Sequence, residues 1–329
     1  MEERTERTGF FLHPSASLHD TGWGHPEHQG RLRAVASAVE KRLLELHGRV
    51  EQRPARFATS AEMRRVHPGS YLEALERASA RAREEGAQVE VGPETPLSGA
   101  SWDAIRGSCG AALAAGEEVA SGRLRNAFVA TRPPGHHATA DGAMGFCSVN
   151  HVAVTARHLQ ATGAADRIVI VDWDVHHGNG TQDIFYQDPS IFYLSLHQAP
   201  HYPGTGATSE RGEGDGEGAT LNVPLPQGTT RAAYLAAFES AVEEAAATFD
   251  ADFILISAGY DALEGDPLAG MLLQPEDFRD FTRCAMQWAD HSCGGRLVAV
   301  LEGGYEPERT GRAVVSTLET LAGSNAPSS

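Results

Sequence analysis

An α/β fold, one domain built on a largely parallel β-sheet with helices on both faces, is what this sequence predicts. Three observations lead there. Short apolar, β-branched runs recur along the chain, and each gives way to Gly, Pro, His or Asp; amphipathic helical patterns fall between them; and no linker or internal repeat divides residues 1–329. Apolar runs without polar alternation mark strands covered on both faces, the environment of a parallel sheet. Strand and helix alternating in this way is the pattern of an α/β domain.

The strand candidates, in order, are 9–14 (GFFLHP), 126–135 (NAFVATRPPG), 167–175 (RIVIVDWDV), 191–197 (IFYLSLH), 252–261 (DFILISAGYD) and 296–305 (RLVAVLEGGY). A helix is expected over 31–47, where Leu32, Val35, Ala36, Val39, Leu43 and Leu46 form one stripe, and another over 232–249 with Leu235, Phe238, Val242 and Phe249. Pro275 and the acids after it suit a helix N-terminus, so a third is placed from 274 to about 290. The Gly-rich RGEGDGEGA (211–219) has neither a GxGxxG register nor a terminal Lys-Ser/Thr, which makes it a surface loop rather than a phosphate cradle. The last residues, about 320–329, are expected to be a frayed tail.

Lys and Arg number 27 against 44 Asp and Glu, a formal charge of −17. That balance disfavours nucleic acid and anionic membranes as partners and favours cationic ligands. Four cysteines (Cys109, Cys147, Cys284, Cys293) lack metal-type spacing and suit reduced thiols in a cytoplasm. The N-terminal MEERTERTG carries no apolar signal region, and no apolar run approaches the roughly 18 residues of a membrane helix.

Ligand sites of open parallel sheets lie beyond the carboxyl ends of the strands, and that is where the polar residues gather. In DWDVH, Asp172, Asp174 and His176 fall at i, i+2 and i+4, so a continuing strand projects all three from one face. Asp261 ends a second strand. Asp174, His176 and Asp261 together offer Zn²⁺ two oxygens and a nitrogen, with a fourth position open for water. RPPGHHA brings His136 and His137 on a rigid turn, suited to proton transfer near neutral pH. LEGGY supplies Tyr305, a donor for a developing oxyanion. A lone Asp-x-His or His-His pair is more often structural than catalytic; four strand ends with complementary parts of one hydrolytic site shift that balance. His197 and His291 lack such company and read as structural, and His177 has no assigned catalytic role.

These stretches resemble the zinc-dependent histone deacetylase and acetylpolyamine amidohydrolase family, with its arginase-like α/β fold. The likeness rests on HDTGWGHPEHQGRL (19–32), RPPGHHA (132–138), GFCSVN (145–150), DWDVHHGNGTQ (172–182), SLHQAPHYPGTG (195–206), SAGYDALEGDPLAG (257–270) and LEGGY (301–305), and the HHGNGTQ and LEGGY spellings resemble the class II branch. The resemblance implies Asp174, His176 and Asp261 as zinc ligands and His137 as the base toward the activated water and the acid toward the leaving amine. It implies His136 as an electrostatic partner oriented by Asp172, and Tyr305 as the donor that polarises the carbonyl. Asn179 stands where the class I branch has Asp, which implies a lower pKa for His137 than a carboxylate would allow.

By the same likeness, Gly145, Phe146 and Tyr202 wall a narrow tunnel for an acylated lysine stem, and Arg31 lies behind the metal in an internal acetate channel. A structural K⁺ is implied near Asp172, Asp174, His176, Ser195 and Leu196. At the rim, Val91 occupies the position nearest to a class I acidic residue, with Glu90 and Glu94 as stand-ins. Leu268 stands where a polyamine-selective relative has Glu. The implied activity is zinc-dependent removal of acetyl groups from N-ε-acetyl-lysine side chains of a peptide or protein, with release of acetate. The alternatives are an acetylpolyamine or other small-amide deacylase, a catalytically silent acyl-lysine binding module, and an arginase-like Mn²⁺ hydrolase.

Overall fold

The structure, a computed structural model, describes residues 6–323. Its strands are β1 (Thr8–Phe11), β2 (Val50–Arg53), β3 (Val89–Glu90), β4 (Pro96–Leu97), β5 (Asn126–Val129), β6 (Ile168–Asp172), β7 (Ile191–Gln198), β8 (Thr220–Leu225), β9 (Phe253–Ala258) and β10 (Leu297–Leu301). Between them run α1 (Gly30–Leu43), α2 (Ser60–Met63), α3 (Gly69–Glu85), α4 (Ser101–Ala120), α5 (His151–Ala161), α6 (Asn179–Phe185), α7 (Arg231–Thr248), α8 (Phe278–Cys293) and α9 (Pro307–Leu321). Eight strands form one sheet in the order β2-β1-β5-β10-β9-β6-β7-β8, and every pairing in it is parallel. Strands β3 and β4 make a separate antiparallel hairpin.

Alternate residues of each central strand enter different cores. In β6, Val169 and Val171 pack with α1, α7, α8 and α9, while Ile168 and Ile170 pack with α4 and α5 on the opposite face. Burial on both faces explains the unbroken apolar runs, and each fully buried Val or Ile contributes about 1.5–3 kcal/mol of transfer free energy. The strand ends bearing the polar motifs belong to β5, β10, β9 and β6, which are four consecutive neighbours at the centre of the sheet. Because they run parallel, their carboxyl ends open on one edge, and residues far apart in sequence meet there.

Strands β5, β6, β9 and β10 end where their polar motifs begin, whereas β7 runs on through Ser195, His197 and Gln198. The segment 167–175 stops being a strand at Asp172, so Asp174 and His176 lie on an irregular bend and not on the face of a continuing strand. The two still converge, because Trp173 and Val175 turn into the core and anchor the bend. The helix expected over 31–47 ends at Leu43; Leu44 is exposed while Leu46 folds back into the core before Gly48 at φ +82°. Residues 320 and 321 are not frayed as expected: α9 continues through them, Leu321 is buried, and its carbonyl accepts a hydrogen bond from Asn126 Nδ2. Residues 324–329 of the expected tail lie outside the described residues. The 211–219 segment forms a short turn with most of its residues exposed.

Candidate active site and metal centre

Asp174, His176 and Asp261 present ligand atoms that all lie within 4.8 Å of one another, and all three residues are buried. His176 Nδ1 is 3.1 Å from Asp174 Oδ1 and 3.2 Å from Asp261 Oδ2. The carboxylates are aimed by the main chain: Gly303 N–H donates to Asp174 Oδ2 at 2.8 Å, and Val175 N–H donates to Asp261 Oδ1 at 2.8 Å. Gly303 and Gly259 press against them so closely that a Cβ at Gly303 would collide with both carboxylates and one at Gly259 with Asp174. Two carboxylates and one imidazole, with room for a fourth ligand, form a donor set that fits zinc.

Among the described residues, two other groupings have metal-ligand atoms equally close, and both are engaged otherwise. In the buried His136, Cys147 and Glu302 group, burial holds the Cys147 thiol well above its ordinary value, and Glu302 Oε2 accepts from the N–H groups of Gly135 and His136. In the Glu62, Glu117 and His158 group, both carboxylates are paired with Arg56.

His136 and His137 sit on one tight turn, their rings 4.1 Å apart. His136 Nδ1–H donates to Asp172 Oδ2 at 3.0 Å, an oxygen that also accepts from Tyr193 Oη. Burial opposes charge on His136, but Asp174 and Asp172 outweigh it and hold the pKa at about 10. His137 Nδ1–H donates to Asn179 Oδ1 at 2.8 Å, leaving the Nε2 lone pair free. Burial, then the neighbouring His136 and His176, push His137 well below its ordinary value, so it stands neutral. The two histidines thus differ in charge although they are adjacent in sequence.

A pocket of about 570 Å³ reaches this centre, and its walls include Gly145, Phe146, Tyr202, Leu268, Tyr305, His137 and His176. The Phe146 and Tyr305 rings meet edge to face at 5.7 Å, and Tyr202 stands perpendicular to His137 at 5.2 Å. Burial holds the Tyr305 phenol well above its ordinary value, so it remains a donor. Arg31 lies behind this wall, its guanidinium 4.7 Å from the Tyr305 ring centre, and it donates to the carbonyls of Gly304 and Glu302. Ser195 and Leu196 are buried on β7, with Ser195 in register with Asp172. At the mouth, Glu90 and Glu94 line the pocket, whereas Val91 packs against the α3 and α4 side.

Residues that sequence reasoning missed are the supports. Glu27, the acid of HPEH, is buried and pairs with both Arg31 and Arg132. Glu302 braces the His136 turn, His201 stacks on His176 at 4.9 Å, and Asp266 accepts from Tyr305 N–H at 2.7 Å. Glu302 and Asp266 lie inside quoted motifs, and burial of a carboxyl is the signal that would have raised them. His197, read as structural, bonds Ser195 and the Gly206 carbonyl, and His177, given no catalytic role, bonds Thr205 and Gln182.

The histone deacetylase domain model matches residues 25–321. The chain is 40% identical over 311 residues to the protein named histone deacetylase 10, chloroplastic, of Oryza sativa subsp. japonica, covering 91% of this chain and 70% of the relative. It is 35% identical over 337 residues to a histone deacetylase-like amidohydrolase of Pseudomonas aeruginosa, covering 97% and 87% respectively. Among solved structures it resembles the crystal structure of the HDA15 HD domain, with a TM-score of 0.89 and 34% identity over 98% of this chain and 91% of that one. Sequence, sheet topology and relatives agree, and the chain belongs to the histone deacetylase family of hydrolases.

Proposed function

We propose that this chain is a zinc-dependent deacetylase that hydrolyses the acetyl amide of N-ε-acetyl-lysine side chains. The observation that carries the reading is the meeting of a three-donor metal set with a neutral histidine, His137, at the end of a pocket walled by Phe146, Gly145 and Tyr202. The chemistry a bound zinc supplies there is Lewis acidity toward an acyl carbonyl and a water.

The protein's own residues do the rest. His137, its proton held at Nδ1 by Asn179, takes a proton from the attacking water at Nε2. The water oxygen bonds to the acyl carbon, and Tyr305 Oη–H donates to the oxygen on which charge develops. His137 then delivers its new proton to the amine nitrogen as the C–N bond breaks, giving acetic acid and the amine, which leave as acetate and ammonium. His136, tied through Nδ1 to Asp172, is held in place beside that exchange. We also place a structural K⁺ against Asp172, Asp174, His176, Ser195 and Leu196; replacing K⁺ by a bulky organic cation should lower the unfolding midpoint, and an unchanged midpoint removes it.

Leu268 at the rim favours a neutral peptide backbone, which supports acetyl-lysine. Glu90 and Glu94 at the mouth favour a second reading, an acetylated polyamine or other cationic small amide. The deciding experiment loads the protein with zinc and compares an acetyl-lysine peptide with acetylspermidine. Faster turnover of the peptide supports the leading reading, faster turnover of acetylspermidine the second, and no turnover of either with metal bound sinks both. Tyr305→Phe should keep the metal and lose on the order of 10²-fold in kcat, as removal of an oxyanion donor does.

A further inference from the structure

Tyr305 ends a segment whose main chain is tethered almost atom by atom. Glu302 N–H donates to the Ala258 carbonyl, Gly303 N–H to Asp174, and Tyr260 N–H to the Gly303 carbonyl, while Arg31 holds the carbonyls of Glu302 and Gly304. All of these tethers reach into the core. The tether of Tyr305 itself comes from the other side: its N–H donates to Asp266 Oδ2 at 2.7 Å. Asp266 Oδ1 accepts the N–H of Leu268 at 2.9 Å, so one buried carboxylate ties together the phenol-bearing segment and the pocket rim.

The rim is fastened once more. The Leu268 carbonyl accepts a hydrogen bond from His201 Nε2 at 2.8 Å, and the His201 ring lies nearly parallel to that of His176, at 22° and 4.9 Å. The sequence of contacts therefore runs from Tyr305 through Asp266 and Leu268 to His201, and ends on an imidazole of the metal centre. It crosses the pocket from one wall to the other, for Tyr305, Leu268, His201 and His176 all line it.

We infer that Asp266 and His201 are positioning residues: they form a clasp that fixes Tyr305 relative to the rim and thereby sets how deep an acylated chain must reach to meet the phenol. The inference rests on the reading of Tyr305 as the donor to the acyl oxygen. Only a carboxylate suits the Asp266 position, because it must accept two N–H groups and a side-chain amide offers a single acceptor oxygen. Asp266→Asn leaves one of the two N–H groups facing an NH₂ donor. A phenol displaced by about 1 Å is enough for a loss approaching 10²-fold.

The test compares zinc-loaded wild type, Asp266→Asn, His201→Phe and Tyr305→Phe by kcat, KM, bound zinc, thermal unfolding and affinity for a small hydroxamate. Asp266→Asn should retain zinc and a cooperative unfolding transition, while kcat falls tenfold or more and hydroxamate affinity weakens. His201→Phe keeps a ring against His176 but loses the bond to Leu268, and should raise KM several-fold, more than it lowers kcat. A folded, zinc-bound Asp266→Asn with kcat within twofold of wild type overturns the inference. Should that variant not fold, an unchanged KM in His201→Phe overturns it. If Tyr305→Phe turns over like wild type, the reading of Tyr305 itself has failed; if Tyr305→Phe is impaired and the clasp variants are not, only the clasp has.

Discussion

The chain contains two adjacent histidine pairs at the centre of the molecule, and they are used differently. His136 and His137 lie on a tight turn braced by Glu302, and both rings face the site. His176 and His177 lie on an open bend, where successive side chains diverge: His176 faces Asp174 and Asp261, and His177 faces Thr205, Gln182 and His197. The dipeptide is the same. Backbone conformation decides whether two neighbours act together or on opposite sides, and burial set against the neighbouring charges decides which way each one's pKa moves.

The comparison can be broken at its ends. His137→Ala should retain zinc and unfold near the wild-type midpoint while kcat falls about 10²- to 10⁴-fold, the range for a lost general base; steady-state kinetics beside metal analysis checks this. His177→Phe should invert the pattern. It removes the bonds of His177 to Thr205, which is exposed, and to Gln182, which keeps Asn222 and Glu210, so it costs about 0.5–1.5 kcal/mol in thermal unfolding, the net worth of a lost hydrogen bond, and leaves zinc bound. A loss of turnover in His177→Phe as large as that in His137→Ala, with metal retained, would erase the distinction between the pairs.

The smallest effect sharpens the charge difference within the first pair. Asn179→Asp places a carboxylate at the Nδ1 of His137, favours the imidazolium and raises its pKa. Catalysis needs the neutral base, so activity should disappear at a higher pH on acidification, moving the acidic limb of kcat/KM upward. An acidic limb that stays in place contradicts the assignment of His137 as the titrating base.

Much of this was legible in the sequence for a physical reason. Central strands of a parallel sheet are buried on both faces, so 167–172 and 253–258 announce themselves as apolar runs, and their carboxyl ends are where charged residues become tolerable. The edges were not legible. In β2, VEQR reads as polar, and Pro224 in β8 is a residue that only an edge strand accepts. Within the site, residues that hold a ligand or a proton could be read from their spacing, whereas those that hold other residues stood in the same motifs with no local sign of their partners. Asp266 acts on Tyr305, 39 positions away, and Glu302 on His136, 166 positions away, and no local pattern encodes such pairs.

The position of the metal centre among four central strand ends bears on how the molecule acquires its activity. The Gly303 N–H that aims Asp174 is 129 residues from it in sequence, and Asp261 meets Val175 across 86. Contacts of such separation close late and depend on the sheet having already paired. The full set of three donors therefore comes together only with the sheet, and an affinity for metal would be an affinity for the finished sheet. By mass action a tightly held ion then shifts the folding equilibrium toward the native state, so metal supply would govern how much of the protein persists as well as how much of it is active.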